Sequence, residues 1–416
     1  MSTPLKMLTP QGAQRYDCTG CGDCCRGRFA VIVTAEDRAR IVAQQWSADE
    51  LGLTGALFTP KGDDFQLAHR ADGACVFLGA DNLCRIHARF GEAAKPVACR
   101  LYPFTFAAVG NQVRVDVRYD CPATAANLGR PLASHRPELL GLMKQVVPSD
   151  APALLVPPFY DQVQLSWKAL ARVTEAFEQV LLDVSLDITR RVAACVQLAD
   201  ILRHPRIIGL DGRALDGLLD EAVSVVQQDA ADDDGERIPP ANAACLVFRQ
   251  LLGLYGRLDT VGERAHLWQR LRVSLRMLAG KGRTPAIRPG FPAVPFDAID
   301  AFRSLPRGEA AQTLERYLHT HLSGMGFFGR SFYGRSYLDG LSALLLTYPL
   351  TNWYARAFAI SEGLPELNAS CVQRAVMVVD HQHGASPLLN APSERTRIRF
   401  LCQPGTLRSL TVWYGS

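Results

Sequence analysis

The chain has 416 residues, 48% of them hydrophobic and 21% charged, with 45 basic side chains against 41 acidic for a formal net charge of +4. That length exceeds what one hydrophobic core usually supports, so two domains are expected, and the composition excludes a disordered or membrane-embedded chain. Balanced charge, with no long Lys/Arg run interleaved with aromatics, speaks against a nucleic-acid partner.

Met1 to Asp17 mixes polar and charged residues where an export signal would need an unbroken apolar stretch, so a cytoplasmic, reducing location is expected. Of the twelve cysteines, eight fall between residues 18 and 121: Cys18, Cys21, Cys24, Cys25, Cys75, Cys84, Cys99 and Cys121. Cys18-x2-Cys21-x2-Cys24 has the spacing by which bacterial ferredoxins wrap three thiolates around a cubane cluster, and Gly20 and Gly22 supply the backbone freedom such a loop needs. The adjacent pair Cys24-Cys25 suits a disulfide framework poorly. Cys121-Pro122 repeats the dipeptide that closes ferredoxin sites. All eight are candidate metal ligands. A [4Fe-4S] cluster is the favoured reading, and zinc stays open because eight thiolates could hold two tetrahedral ions. His87, three residues after Cys84, is a candidate neighbour of the metal, and Arg26, Arg28, Arg85 and Arg100 are candidate donors to an anionic cluster.

Past the first loop, residues 29–34 are a β-branched run, and Thr34 caps a helix beginning Ala35-Glu36-Asp37. Segments around Cys75, Cys84 and Cys99 read as loops that return thiols to the first group. Val113, Val115, Val117 and Tyr119 alternate with Arg114, Asp116 and Arg118, predicting a strand with one face buried that delivers Cys121 at its end. Six prolines between residues 131 and 160 mark a linker.

Beyond it the period becomes helical: Val163, Trp167, Leu170, Val173, Phe177 and Val180 share one face, and helices continue to about Gln228. Asp229 to Pro240 reads as a solvated acidic loop, and Lys281 to Pro295 as a proline-stiffened break before helix resumes near Asp297. Leu341 to Ile360 is long enough to cross a bilayer but holds Pro349, Asn352 and Arg356, so a buried helix pair is expected and no transmembrane segment. Trp353, Tyr354 and Phe358 allow a peripheral membrane contact there. Gly324-Met325-Gly326-Phe327-Phe328-Gly329 spells a nucleotide-loop pattern without the preceding strand or downstream acid, which favours a glycine-rich helix–helix turn. His319 with His321, and His381 with His383, read as ordinary polar residues, since an i, i+2 spacing on a helix turns the rings apart. Cys195, Cys245, Cys371 and Cys402 stand alone in apolar sequence and read as small buried hydrophobes.

The expected fold is α+β: a cysteine-cluster iron–sulfur domain of small α/β type over residues 1–130, a proline-rich linker over 131–160, and a larger, mainly α-helical domain over 161–416.

Cys18-x2-Cys21-x2-Cys24-Cys25, Cys75-Val76-Phe77-Leu78, Cys84-Arg85-Ile86 and Cys99-Arg100-Leu101-Tyr102-Pro103-Phe104 together resemble the bacterial CxxCxxCC cysteine-cluster family, described as zinc- or iron-chelating. Leu314 to Gly329, Tyr337 to Leu350 and Val378-Val379-Asp380-His381 look like the helical C-terminal region of flagellin lysine-N-methylases. The combined resemblance implies an iron–sulfur protein that transfers methyl from S-adenosylmethionine to an exposed lysine of a protein substrate such as flagellin. It would make Tyr333, Tyr337 and Asp339 candidates for taking the amine proton, and Gly324, Gly326 and Gly329 candidates for the donor-cofactor site. The alternatives are a non-catalytic metal-binding or electron-transfer module with a helical interaction domain, or a structural zinc protein.

Overall fold

Short β-branched runs separated by cysteine turns can build only small sheets, whereas long amphipathic repeats can bury a continuous core. In the computed structural model, which describes residues 5–9, 12–27, 30–147, 155–204, 207, 209–233, 237–258 and 267–416, the protein is accordingly α+β, 55% helical and 10% strand. Arg28 and Phe29 lie outside the described residues, as do parts of the proline-rich stretch and of the acidic loop.

Three small sheets serve the cysteine-rich part. In the first, β1 (Lys6–Leu8) runs parallel to β7 (Gln112–Val117), which pairs antiparallel with β6 (Phe104–Val109). The second joins β2 (Arg15–Tyr16) to β8 (Arg130–Pro131), and the third has the order β3-β5-β4 from Ile32–Val33, Asp64–Leu67 and Phe58–Lys61. Short helices connect them: α1 (Asp23–Arg26), α2 (Ala35–Val42), α3 (Ala48–Leu51), α4 (Arg85–Phe90), α5 (Val97–Leu101) and α6 (Pro122–Ala125). Thr34 caps α2 as its sequence predicts, Oγ1 accepting from the Asp37 N–H at 3.1 Å.

Two cores result. Val33, Ile41, Leu51, Leu67, Val76, Phe77 and Ile86 close a small one around the third sheet. The first sheet belongs to the large core, where Val113, Val115 and Val117 join the helices. Those helices are α7 (Arg136–Val146), α8 (Trp167–Leu181), α9 (Ile188–Ile201), α10 (Gly212–Asp232), α11 (Asn242–Tyr255), α12 (Leu267–Ala279), α13 (Phe296–Ala301), α14 (Gly308–Gly324), α15 (Tyr337–Ser361), α16 (Ala369–Gln382), α17 (Pro392–Leu401) and α18 (Pro404–Gly415). Within the proline-rich stretch, α7 buries Leu139 and Met143 in the large core. The acidic segment is loop only after Asp232, because α10 continues to that residue.

Leu341 to Ile360 is not a helix pair but part of one 25-residue helix, α15, buried along nearly its whole length. Pro349 removes one N–H from the ladder, and nearby polar side chains bond back to the helix backbone: Asn352 Nδ2 donates to Tyr348 O at 3.0 Å and Thr347 Oγ1 to Leu344 O at 2.5 Å. Packing on every side then keeps the helix continuous. Arg356 is 0% exposed and donates to the carbonyls of Trp413 (3.1 Å) and Ser416 (2.8 Å), at the negative end of α18. Trp353, Tyr354 and Phe358 lie inside the core, so they do not provide the peripheral membrane contact that the sequence allows in this stretch. Among the described residues no helix is long and apolar enough to cross a membrane.

At Gly340 a Cβ would stand 1.9 Å from the backbone oxygen of Phe327. Gly340→Ala is therefore expected to force α15 off the 325–336 loop, costing on the order of 1–3 kcal/mol or more; chemical denaturation followed by circular dichroism should show the loss.

Candidate metal centre

Local chain geometry explains why the cysteine segments meet. Gly20 and Gly22 take left-handed φ values of 69° and 76°, and Gly22 opens α1, which carries Cys24 and Cys25. A Cβ on Gly22 would lie 2.8 Å from Asn82 O, and one on Gly20 3.1 Å from Leu83 Cδ2, so the first loop rests on the turn at 79–83. That turn joins Cys75 to Cys84 through a bridge between Leu78 and Cys84, and Cys75 N donates to Cys25 O at 2.8 Å. Arg26 braces the loop by donating to Cys21 O at 3.0 Å.

Cys121 arrives by a separate route. β2 ends just before Cys18 and pairs with β8 just after α6, which Cys121 caps. Asp17 fastens the junction, accepting from Arg130 N at 2.8 Å and Arg130 Nε at 3.0 Å. Beside it, Tyr16 lies within electrostatic range of Cys18, Cys121 and Cys24, and Cys121 within range of Cys21. Cys24 links these to a second neighbourhood, where Cys25 interacts with Cys24, Cys75 and Cys84, and Cys99 with Cys25, Cys84 and Cys24.

Burial pushes the Cys99 thiol up to about 12 and the Cys121 thiol up to about 11. For Cys25 the hydrogen bond from Cys24 pulls down, but Cys75 and burial outweigh it and the thiol is pushed up to about 12. Cys18, Cys21 and Cys24 are exposed, Cys25, Cys84 and Cys99 half-buried, and Cys75 and Cys121 buried. Among the described residues no three His, Cys, Asp or Glu side chains converge on one point ready to hold an ion. The donor set nonetheless fits zinc or an iron–sulfur cluster in kind, since these are sulfur donors gathered on short turns.

The other candidates have other surroundings. His87 is exposed on α4, Arg85 donates to Glu50 O, and Arg100 donates to Gln145 Oε1 at 2.8 Å. The Tyr337 hydroxyl is buried against Thr174 Oγ1 at 2.9 Å, Tyr333 donates to Ser386 O at 2.7 Å, and Asp339 lies 3.6 Å from Arg203. Gly324 ends α14 where a Cβ would stand 2.6 Å from the Asp116 Cβ, so it serves close packing on β7, whereas a Cβ on Gly326 would meet Asp116 only at an ordinary 3.8 Å. Gly329, at φ 60°, touches Pro157 and lines a cavity of about 470 Å³ with Leu101, Phe106, Trp167 and Phe328.

The sequence reading missed a buried ion network directly upstream of Cys121. The polar face of β7 meets α14 and α16 instead of solvent, and Asp116 is 6% exposed. Asp380 Oδ2 accepts from Tyr119 N (2.7 Å), Asp120 N (3.0 Å) and Arg118 Nε (3.2 Å). Arg118 Nη2 also reaches Asp120 Oδ2 at 3.0 Å, and Tyr102 donates to Asp120 Oδ1 at 2.9 Å. His321 is no ordinary polar residue: Nδ1 lies 2.7 Å from Asp116 and Nε2 3.0 Å from Asp380, so both nitrogens donate and the ring is an imidazolium. Burial opposes that charge, but Asp116 and Asp380 raise the group to about 10. Burial also works against the Asp380 carboxylate, yet Arg118 and His321 hold it well below the usual range. As the i, i+2 spacing predicts, His319 turns elsewhere, toward Glu178 at 3.7 Å.

Fold and site thus define a thiol-rich α+β module seated on a helical body, with the donor set of a thiolate metal centre. Residues 17–122 match a family model, CxxCxxCC, described as a zinc- or iron-chelating domain. No curated protein and no solved structure matches the chain, and no homologue supports the likeness to flagellin lysine-N-methylases.

Asp380→Asn strips Arg118 and His321 of a buried counter-charge and is expected to cost about 3–5 kcal/mol in urea denaturation. Because His321 is charged up to about pH 10 when folded against an ordinary 6.5, its contribution is complete below 6.5 and is lost as pH rises toward 10. The fall in the urea midpoint across that window should be shallower in His321→Gln than in the native protein.

Proposed function

We propose that this protein is an iron–sulfur protein in which Cys18, Cys21, Cys24 and Cys121 ligate a [4Fe-4S] cluster, with Cys25, Cys75, Cys84 and Cys99 as a second thiolate group beside it. The observation that carries the reading is the β2–β8 pairing, which sets the strand before Cys18 against the segment after Cys121. The triple-cysteine loop then acquires a fourth sulfur from a rigid strand end. When bound, such a cluster supplies one-electron chemistry. The chain's own contribution is to fix the sulfurs, to brace the Cys21 carbonyl through Arg26, and to anchor the Cys121 strand in the helical body.

Methyl transfer to protein lysine rests on the cysteine-cluster resemblance combined with that of residues 314–381 to flagellin lysine-N-methylases, which no homologue supports. The tyrosines and aspartate that resemblance would use are engaged in bonds to Thr174, Ser386 and Arg203. The metal-centre reading therefore takes precedence.

Anaerobically purified protein should contain iron and acid-labile sulfide, with a broad visible absorption that dithionite bleaches. Alanine at Cys18, Cys21, Cys24 or Cys121 should abolish that absorption, while alanine at Cys75 or Cys84 should leave most of it. Colourless protein with stoichiometric zinc would overturn the assignment. Transfer of label from S-adenosylmethionine to lysine would restore the enzymatic reading.

A further inference from the structure

Helix α12 presents apolar residues on two opposite faces. The inner face carries Met277, which is 0% exposed and stands 3.3 Å from where a Cβ on Gly253 of α11 would be. Trp268, nine residues earlier and so two and a half turns away, points to the opposite side. It is 81% exposed, and Leu271 and Leu275, at 49% and 55%, continue its stripe within about 60° of the helix circumference. A core-facing helix has no use for this second stripe, and the contiguous exposure of a tryptophan with two leucines marks an interaction surface.

Charge says what the stripe would meet. From Leu267 to Phe296 the chain carries Arg270, Arg272, Arg276, Lys281, Arg283 and Arg288 and neither Asp nor Glu, although the whole protein has a net charge of only +4. Arg272, Arg276, Lys281 and Arg283 are exposed, the first two along one flank of the apolar stripe. Basic residues beside an exposed Trp/Leu stripe fit a surface that is apolar just beneath a layer of negative charge: leucines enter the acyl boundary, the indole sits at headgroup level with its N–H toward water, and guanidinium groups pair phosphates.

We infer that α12 docks this protein on an anionic lipid surface, with Trp268, Leu271 and Leu275 entering the interface and Arg272 and Arg276 binding lipid phosphates. The contact is peripheral, lies flat along 13 residues, and is independent of the metal centre. It also differs from the Trp353–Phe358 stretch, whose aromatic residues are inside the core.

The full chain should co-sediment with phosphatidylcholine vesicles containing phosphatidylglycerol, and binding should fall at least tenfold on pure phosphatidylcholine or at high salt. Leu271→Ser/Leu275→Ser and Arg272→Glu/Arg276→Glu should each lower binding to anionic vesicles about tenfold or more while leaving the circular dichroism spectrum unchanged, since all four side chains are exposed. A blue shift of indole emission on anionic vesicles, absent in Trp268→Phe, would place that ring at the interface. No sedimentation with anionic vesicles, or undiminished binding by both double variants, would overturn the inference. So would a lipid-free dimer dissolved by the same substitutions, since the stripe would then be covered by a second copy of the chain.

Discussion

Asp380 accepts the backbone N–H groups of Tyr119 and Asp120 and the guanidinium of Arg118 through a single oxygen, and receives His321 on the other. A carboxylate this deep inside a protein is tolerable only when it is surrounded by donors and cations. Asp380 comes from α16, His321 from α14, and the groups they bind lie on β7 and the three residues that follow it. The end of the strand that presents Cys121 is therefore fixed by the helical body as well as by the segment leading into the cysteine loop, where Gln14 bonds Tyr119 and Thr124.

This arrangement divides the labour of holding the thiols. Cys18, Cys21, Cys24 and Cys25 lie on a loop shaped by left-handed glycines and propped on the 79–83 turn, close to solvent and dependent on local contacts. Cys121 is buried and sits at the end of a strand packed in the large core. The thiols are thus held in two ways, by a solvent-exposed loop and by a strand end packed in the core.

The glycine-rich run from Gly324 to Gly329 has a packing rationale of the same kind. Gly324 lets the end of α14 close on Asp116, which places His321 one turn earlier within hydrogen-bonding distance of that carboxylate. A side chain at Gly324 would hold the two apart.

Much of this organisation could be read along the chain, because it depends on residues close together in sequence. The Thr34 cap, the strand at 112–117 and the helical period from Trp167 rest on local backbone geometry and appear where the sequence places them, although Val163 pairs with Tyr160 before the helix begins. Asp116, Arg118, His321 and Asp380 carried no such signal: an acidic or basic residue on a strand or helix looks the same whether it faces water or a partner some 260 positions away. Pro349 misled for the related reason that a helix buried on all sides withstands a proline that would end an exposed one. Spacing and periodicity along the chain suffice for a cysteine-rich part followed by a helical body. Only the tertiary structure decided which charges meet at the buried junction, since burial strengthens a pairing that neither partner's neighbours encode.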